Sequence, residues 1–343
     1  MYRLRLPLLL VSITLILLAV PAFSQTPYFD IIPVAEGVYA VIGKNGAYAN
    51  GAIIVNAEDV VVVDTQLRPS WALEVLAKIK NITDKPVGYV INTHWHRDHV
   101  QGNQTYVDAF PGLTIIQHEL CREDQIKNQP TEMMTRAPEE IARLTKLLDD
   151  NKNEEGLPLS ANTRLELQHR LDLQNSYAAE LPKIRVVPGT LTFSHSMIIH
   201  EPEREIVLDY FGYGHTRGDI VVYLPAEKII ITGDLFESGV PAMRTAYPVK
   251  LLSALESVQR LDWDYAIPGH GSVQHGKEML SELINYEKDL ISGVKDAVGS
   301  GMSESGTIKF LDLRRYSHLP DFETENRVAI ERAYLEITGK ITD

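Results

Sequence analysis

Within six positions, His94-Trp95-His96-Arg97-Asp98-His99 gathers four side chains of the types that bind divalent metals. In extended backbone, alternate residues share a face, so His94 and His96 can grip one ion together. A turn after them lets Asp98 and His99 face a second ion, and Asp98 stands where a following helix could start. Neutral imidazole and carboxylate suit Zn²⁺. Trp95 and Arg97 fill the two positions where no ligand is needed. Two ions sharing a water lower its pKa from about 15.7 toward 7, so the pattern points to hydrolysis.

Two ions need further ligands, and three sites offer them. His215 lies in Gly214-His215-Thr216-Arg217-Gly218-Asp219, Asp234 in Thr232-Gly233-Asp234-Leu235, and His270 in Pro268-Gly269-His270-Gly271. Each falls at an expected strand end, beside small residues that leave space. His118 follows a strand and could approach the cleft. His195, His200 and His275 have no comparable motif, and His169 and His318 read as solvated. Cys121 is the only cysteine, so no intramolecular disulfide can form; it reads as a packed or partly exposed thiol, not a ligand.

The elements that must position these residues follow from apolar patterning. Strands are expected at 37–42, 52–56, 59–64, 87–92 and 113–117, with a helix over 70–79 between the third and fourth. The β-branched run Val60–Val63 reads as a strand buried on both faces. Strands return at 197–200, 205–210, 219–224, 228–232 and 265–267, with helices over 249–261, 276–298 and 326–338 and a Gly/Ser loop over 299–306. Two successive rounds of strands and helices suit two packed sheets with helices outside, in one domain. Residues 119–182 contain no convincing strand and read as a helical insertion, either a lid or dimer contact or simply structural padding. Its first helix carries Ile141, Leu144, Leu147 and Leu148; its second covers 165–180, with Thr163 and Glu166 at capping-box spacing.

With 343 residues, 44% hydrophobic and 23% charged, the chain can bury a large core. Residues 1–24 read as a secretory signal peptide: Arg3 and Arg5, an apolar stretch from Leu6 to Val20, then Ala22-Phe23-Ser24 before Gln25. The expected mature domain is 25–343, periplasmic or secreted, with no stable membrane anchor. Losing Arg3 and Arg5 takes the formal charge from −13 to −15, which disfavours nucleic acid as a partner.

The set His94-x-His96-x-Asp98-His99, Gly214-His215-Thr216, Gly233-Asp234 and Gly269-His270-Gly271, in this order, resembles the metallo-β-lactamase superfamily of hydrolases, over roughly residues 29–298. The resemblance implies an α/β fold, the four-layer αβ/βα sandwich, with ligands on loops along one edge of the sheets. It implies two Zn²⁺ per chain: His94, His96 and His215 on the first metal, Asp98, His99 and His270 on the second, and Asp234 bridging both, as in the glyoxalase II and lactonase branches. Asp98 would also orient the attacking hydroxide and shuttle a proton to the leaving group. Asp64 matches a family aspartate that supports the ligand loop without binding metal.

The expected partner is a small molecule with a hydrolysable amide or ester carbonyl. Export favours a β-lactam, and counts against the normally cytosolic glyoxalase II reaction. The alternative is a lactonase or another ester or thioester hydrolase. Two departures stand out: Asp234 is followed by Leu235, Phe236 and Glu237, where the Cys-containing β-lactamases have a substrate-binding Lys and the quorum-signal lactonases a Tyr at the third place. Ser238 and Arg244 remain as possible carboxylate contacts. Two further readings are a single-iron persulfide dioxygenase and a non-catalytic accessory protein.

Overall fold

The computed structural model describes residues 27–341 except 155; the expected signal peptide lies outside the described residues. The first sheet has seven strands in chain order: β1 (Phe29–Ala35), β2 (Val38–Gly43), β3 (Gly51–Val55), β4 (Val60–Val63), β5 (Val87–Ile91), β6 (Thr114–His118) and β7 (Leu191–Phe193). Its first four strands pair antiparallel and the rest parallel. Between them lie α1 (Pro69–Ile82), α2 (Arg97–Val100), α3 (Asn103–Ala109), α4 (Glu119–Asp150) and α5 (Ala161–Glu180).

The second sheet holds β8 (Ser196–His200), β9 (Glu205–Asp209), β10 (Val221–Leu224), β11 (Ile229–Gly233), β12 (Tyr265–Pro268) and β13 (Gln274–His275), again adjacent in chain order. Only β11 and β12 pair in parallel, across the crossover helix α6 (Pro248–Arg260). The chain closes with α7 (Glu278–Gly299), α8 (Glu304–Phe310) and α9 (Phe322–Ile337).

The two sheets face each other between helical layers, which explains the continuous apolar runs. Alternate residues of β4 point opposite ways: Val60 and Val62 pack with Trp71, Val75 and Ile79 of α1, while Val61 and Val63 meet the second sheet through Val222, Ile229 and Ile231. On β11, Ile230 turns outward to Leu251, Leu255 and Leu290 of α6 and α7, and Ile229 and Ile231 turn inward. Each fully buried aliphatic side chain of this kind contributes about 1.5–3 kcal/mol.

The differences from the sequence expectations have local causes. β1 is an edge strand with an irregular register at Pro33, so its pattern lacks clean alternation. β7 and β13 have only three and two residues, too few to show a period. The second insertion helix begins at Ala161, not at 165: Ser160 is extended and its Oγ accepts from the Thr163 amide at 3.1 Å, so Ser160, not Thr163, is the cap. Part of the Gly/Ser loop is helix, because Ser303 caps α8 in the same way, accepting from the Gly306 amide at 3.2 Å. The first insertion helix is much longer than its stripe suggests, with Pro130 and Pro138 inside it.

The outer part of the α4–α5 insertion has only a small core of its own, Leu144, Leu148 and Leu167 with partly buried Leu147, Leu159 and Leu171. Local opening is easiest where buried apolar contact is scarce. Amides near the 150–161 connection are therefore expected to exchange with deuterium well before those of β4 and β11; equal protection in native-state exchange would refute this.

Candidate metal centre

The first motif begins where β5 ends. Asn92 and Thr93 leave the strand, and Arg97 opens α2. Asp64, at the end of β4, fixes this loop from beneath: its carboxylate accepts from the Thr93 amide (2.8 Å) and the Thr93 hydroxyl (2.7 Å), and pairs with His99 Nδ1 (2.8 Å). Asp64 adopts the left-handed region at φ 61°, an unfavourable backbone for a residue with a Cβ. The carbonyl of His99 accepts from the Thr65 amide at 2.8 Å.

The second sheet brings the remaining residues. His215 sits in a turn whose Thr216 amide and hydroxyl both bond Asp219, at 2.7 Å each. Asp234 follows β11 and His270 follows β12. The glycines beside them are required by close approach. A Cβ on Gly233, which has φ +50°, would lie 2.2 Å from Thr93 Oγ1, and one on Gly269 would lie 2.0 Å from Asp234 Oδ1.

The structure brings His94, His96, His215 and Asp234 into one cluster, and Asp98, His99 and His270 into a second. Asp234 stands between them. Its Oδ2 is 3.4 Å from His94 Nε2, 3.4 Å from His215 Nε2 and 3.3 Å from His270 Nε2, and its Oδ1 is 3.2 Å from His99 Nε2. His96 Nδ1 lies 2.9 Å from His215 Nε2, and Asp98 Oδ2 lies 3.6 Å from His270 Nε2. Tetrahedral ligands about 2.0–2.1 Å from an ion stand roughly 3.3 Å apart, so these spacings fit divalent ions. Among the described residues the buried His94 Nε2, His99 Nε2 and Asp234 Oδ1 find no well-aligned hydrogen-bond partner, the expected state of donor atoms reserved for a metal.

The outer ring nitrogens support the same assignment. His94 Nδ1 meets Thr93 Oγ1 at 3.1 Å, His96 Nε2 meets Thr245 Oγ1 at 3.0 Å, and His270 Nδ1 meets the Tyr48 carbonyl at 3.0 Å. With His99 Nδ1 on Asp64, four imidazoles spend one nitrogen on a named protein acceptor and leave the other facing the centre, the arrangement that fixes tautomer and ring direction. Thr245 also donates to the His215 carbonyl at 3.1 Å.

Electrostatics divide the histidines. Burial pushes His96 down, with His215 adding to it, and burial takes His215 to about 3. Burial would also lower His99 and His270, but the carboxylates overcome it: Asp234, Asp64 and Asp98 hold His99 well up, and Asp234 with its neighbours holds His270 at about 10. The reciprocal effect, against burial, holds Asp98 down through His99 and His270 and Asp234 far down through His270, His99 and His94.

Several residues of the site carry no signal in the sequence. Thr93, Thr245 and Asp219 are ordinary turn residues until the fold brings them under the ligands. Glu237 is buried near Asp234 and His270, close enough to share an ion with them, and its Oε1 lacks a hydrogen-bond partner among the described residues. Tyr48 stacks on His270 with ring centroids 5.4 Å apart. His118 does not join the site: its Nδ1 caps α4, its Nε2 meets the Ser194 carbonyl at 3.1 Å, and its ring stacks on Tyr210. Cys121 is fully buried, and burial raises its thiol pKa far up.

Two outcomes follow for the metal-free protein. Asp64→Asn keeps the shape but weakens the hold on His99, and divalent-ion affinity is expected to fall about 10–100-fold; unchanged affinity in a chelator competition would sink this role. The ordinary His pKa is 6.5, and that of His270 is raised to about 10. The His270–Asp234 pair therefore stabilises the metal-free fold fully below the unfolded value and loses that contribution as pH rises toward 10. A metal needs the neutral ring, so its binding releases protons and tightens over the same range. Urea melts of chelated protein should show stability falling as metal titrations show affinity climbing; parallel slopes would contradict the pairing.

Comparison with known proteins agrees with this geometry. The sequence model of the metallo-β-lactamase superfamily matches residues 46–270. The linear primary-alkylsulfatase of Pseudomonas sp. (strain ATCC 19151) is 22% identical over 263 residues, 73% of this chain; the chain spans about half (46%) of that relative's length. Among solved structures, the metallo-β-lactamase from Pontibacter korlensis superposes with a TM-score of 0.53 at 18% identity, covering 75% of this chain and 99% of that one. The metallo-β-lactamase FIM-1 from Pseudomonas aeruginosa, in its mono-zinc form, gives 0.52 at 18% identity, covering 75% and 95%. These likenesses to solved structures carry the fold. The chain belongs to the metallo-β-lactamase superfamily, and its His/Asp clusters are consistent with a binuclear metal site.

Proposed function

We propose that this protein is a binuclear zinc hydrolase that opens the carbonyl of a small amide or ester, with a β-lactam ring as the leading substrate. One observation carries the reading: Asp234 stands between two ligand clusters, with its carboxylate 3.2–3.4 Å from imidazole nitrogens of both. His94, His96 and His215 would hold one ion, Asp98, His99 and His270 the other, and Asp234 both. Bound there, two ions supply Lewis acidity and a water acidified to near neutral pH. The N-terminal apolar segment supports export to the periplasm or medium, where β-lactams act.

The chain's own residues do the rest. Asp98 is the more accessible carboxylate of the pair, with its side chain 13% exposed against 4% for Asp234. Through the carboxylate oxygen not given to the ion it can orient a water and accept its proton, then return it to the leaving nitrogen or oxygen. Asp64 and Thr93 hold His99 and His94 rigid, so little reorganisation is needed on binding. The buried Cys121 thiol takes no part.

A second reading, hydrolysis of a sulfate ester, is supported by the alkylsulfatase relative. A zinc-loaded sample tested on a chromogenic cephalosporin, a carbapenem, an acyl-homoserine lactone, a thioester and an alkyl sulfate separates these options. Ring opening of the β-lactams is expected, and clear turnover of another class alone would replace that choice. His96→Ala and Asp98→Ala should each lower whichever activity is found at least about 100-fold; full activity in either would overturn the ligand assignment.

A further inference from the structure

A cavity of about 810 Å³ opens beside the metal centre, between the ligand loops and the insertion helices α4 and α5. Six arginines line it, Arg68, Arg97, Arg136, Arg143, Arg170 and Arg244, against three glutamates, Glu139, Glu140 and Glu154. That excess of positive charge stands out in a chain of formal charge −13.

Several of the arginines are already neutralised. Arg143 and Arg170 share Glu140, Arg143 also meets Glu154, Arg136 pairs with Glu132 at 3.3 Å, and Arg68 faces Glu180 at 3.6 Å while stacked on Trp71. Arg97 and Arg244 form no ion pair among the described residues, and they are the two nearest the ligands in the chain. Arg97 stands between His96 and Asp98. Arg244 precedes Thr245, whose hydroxyl touches His96.

Arg97 is also held in place. The Tyr177 hydroxyl of α5 donates to Gln101 Oε1 at 2.7 Å, which fixes the ring that Arg97 faces. Its guanidinium lies 5.7 Å from the Tyr177 ring centroid, and its buried Nη1 has no hydrogen-bond partner among the described residues. A buried, unpaired guanidinium donor beside a cavity is costly unless a ligand meets it. Leu67, Leu173 and Tyr177 give the same cavity an apolar wall.

We propose that Arg97 and Arg244 form an anion subsite for the substrate, holding a carboxylate or sulfate group close to the scissile bond while an apolar portion runs along Leu67, Leu173 and Tyr177. This rests on the hydrolase reading for the word substrate; the subsite itself is a property of the cavity. It gives Tyr177 a positioning role through Arg97, and gives the insertion the task of building one wall of the specificity site.

The test uses octanoate and octanamide, matched in shape and differing in charge, with calorimetry on the zinc-loaded full chain and metal content measured for every variant. Octanoate should bind at least about ten-fold tighter than octanamide, the order of one charge-assisted hydrogen bond. Arg97→Gln and Arg244→Gln should each remove most of that preference, with octanamide binding and metal content unchanged. Tyr177→Phe, which alters no charge, should weaken octanoate binding by a smaller factor. If Arg97→Gln loses metal, Arg244→Gln and Tyr177→Phe decide the matter. Equal binding of the two probes, or an anion preference that survives Arg244→Gln and Tyr177→Phe, would overturn the subsite and leave the metals as the anion's holder. The two readings fail separately: anion preference without turnover sinks hydrolysis alone, and turnover without anion preference sinks the subsite alone.

Discussion

The carboxylate of Asp64 is the contact on which the site depends. It is 2% exposed, held in a left-handed backbone conformation, and bonded to the amide of Thr93, the hydroxyl of Thr93 and the ring of His99. Through Thr93 it also governs His94, whose Nδ1 lies on the same hydroxyl. One buried group thus aims a ligand of each cluster. An isolated buried carboxylate would be costly; here three donors satisfy it, and the backbone cost at Asp64 is met by the order it imposes on the loop.

The sequence was most legible where one residue type can do one thing. Three histidines and an aspartate within six residues have few structural uses, and the continuous valines of β4 fit only a strand covered on both faces. Asp64 was legible through family resemblance alone. What stayed hidden depends on tertiary approach. Thr245 is 149 residues from His96 and meets it only because the segment before α6 folds back over the second sheet. Gly269 looks like any turn glycine until Asp234 is seen packed against its Cα. Arg97 read as a filler between ligands, since nothing in a hexapeptide shows that its side chain turns toward a cavity whose far wall lies in α4 and α5.

The insertion shows the same limit on a larger scale. Its helices could be anticipated from apolar spacing, but their docking could not. Polar contacts fasten it at several points: Tyr177 to Gln101, Gln129 to the carbonyl of Trp95, and Gln125 to Gln117, which itself bonds Asn92 beneath the ligand loop. These side chains are short of apolar area, so hydrophobic patterning gives them no weight. They place the insertion against the hexapeptide and leave its outer end with little core.

The clusters draw their members from both halves of the molecule. His94, His96, Asp98 and His99 hang from the first sheet, and His215, Asp234 and His270 from the second. Around them the halves are already laced by backbone and amide contacts, including Ile220 to the Thr93 carbonyl, Asn50 to that of Gly269, and the Asn50 side chain to those of Pro268 and Gly271. An ion held in this place would therefore cross-link the two sheets. Ligation free energy would resist separation of the two sheets at the edge where their packing ends, adding to the polar lacing and the Tyr48–His270 stack that join them there in the metal-free chain.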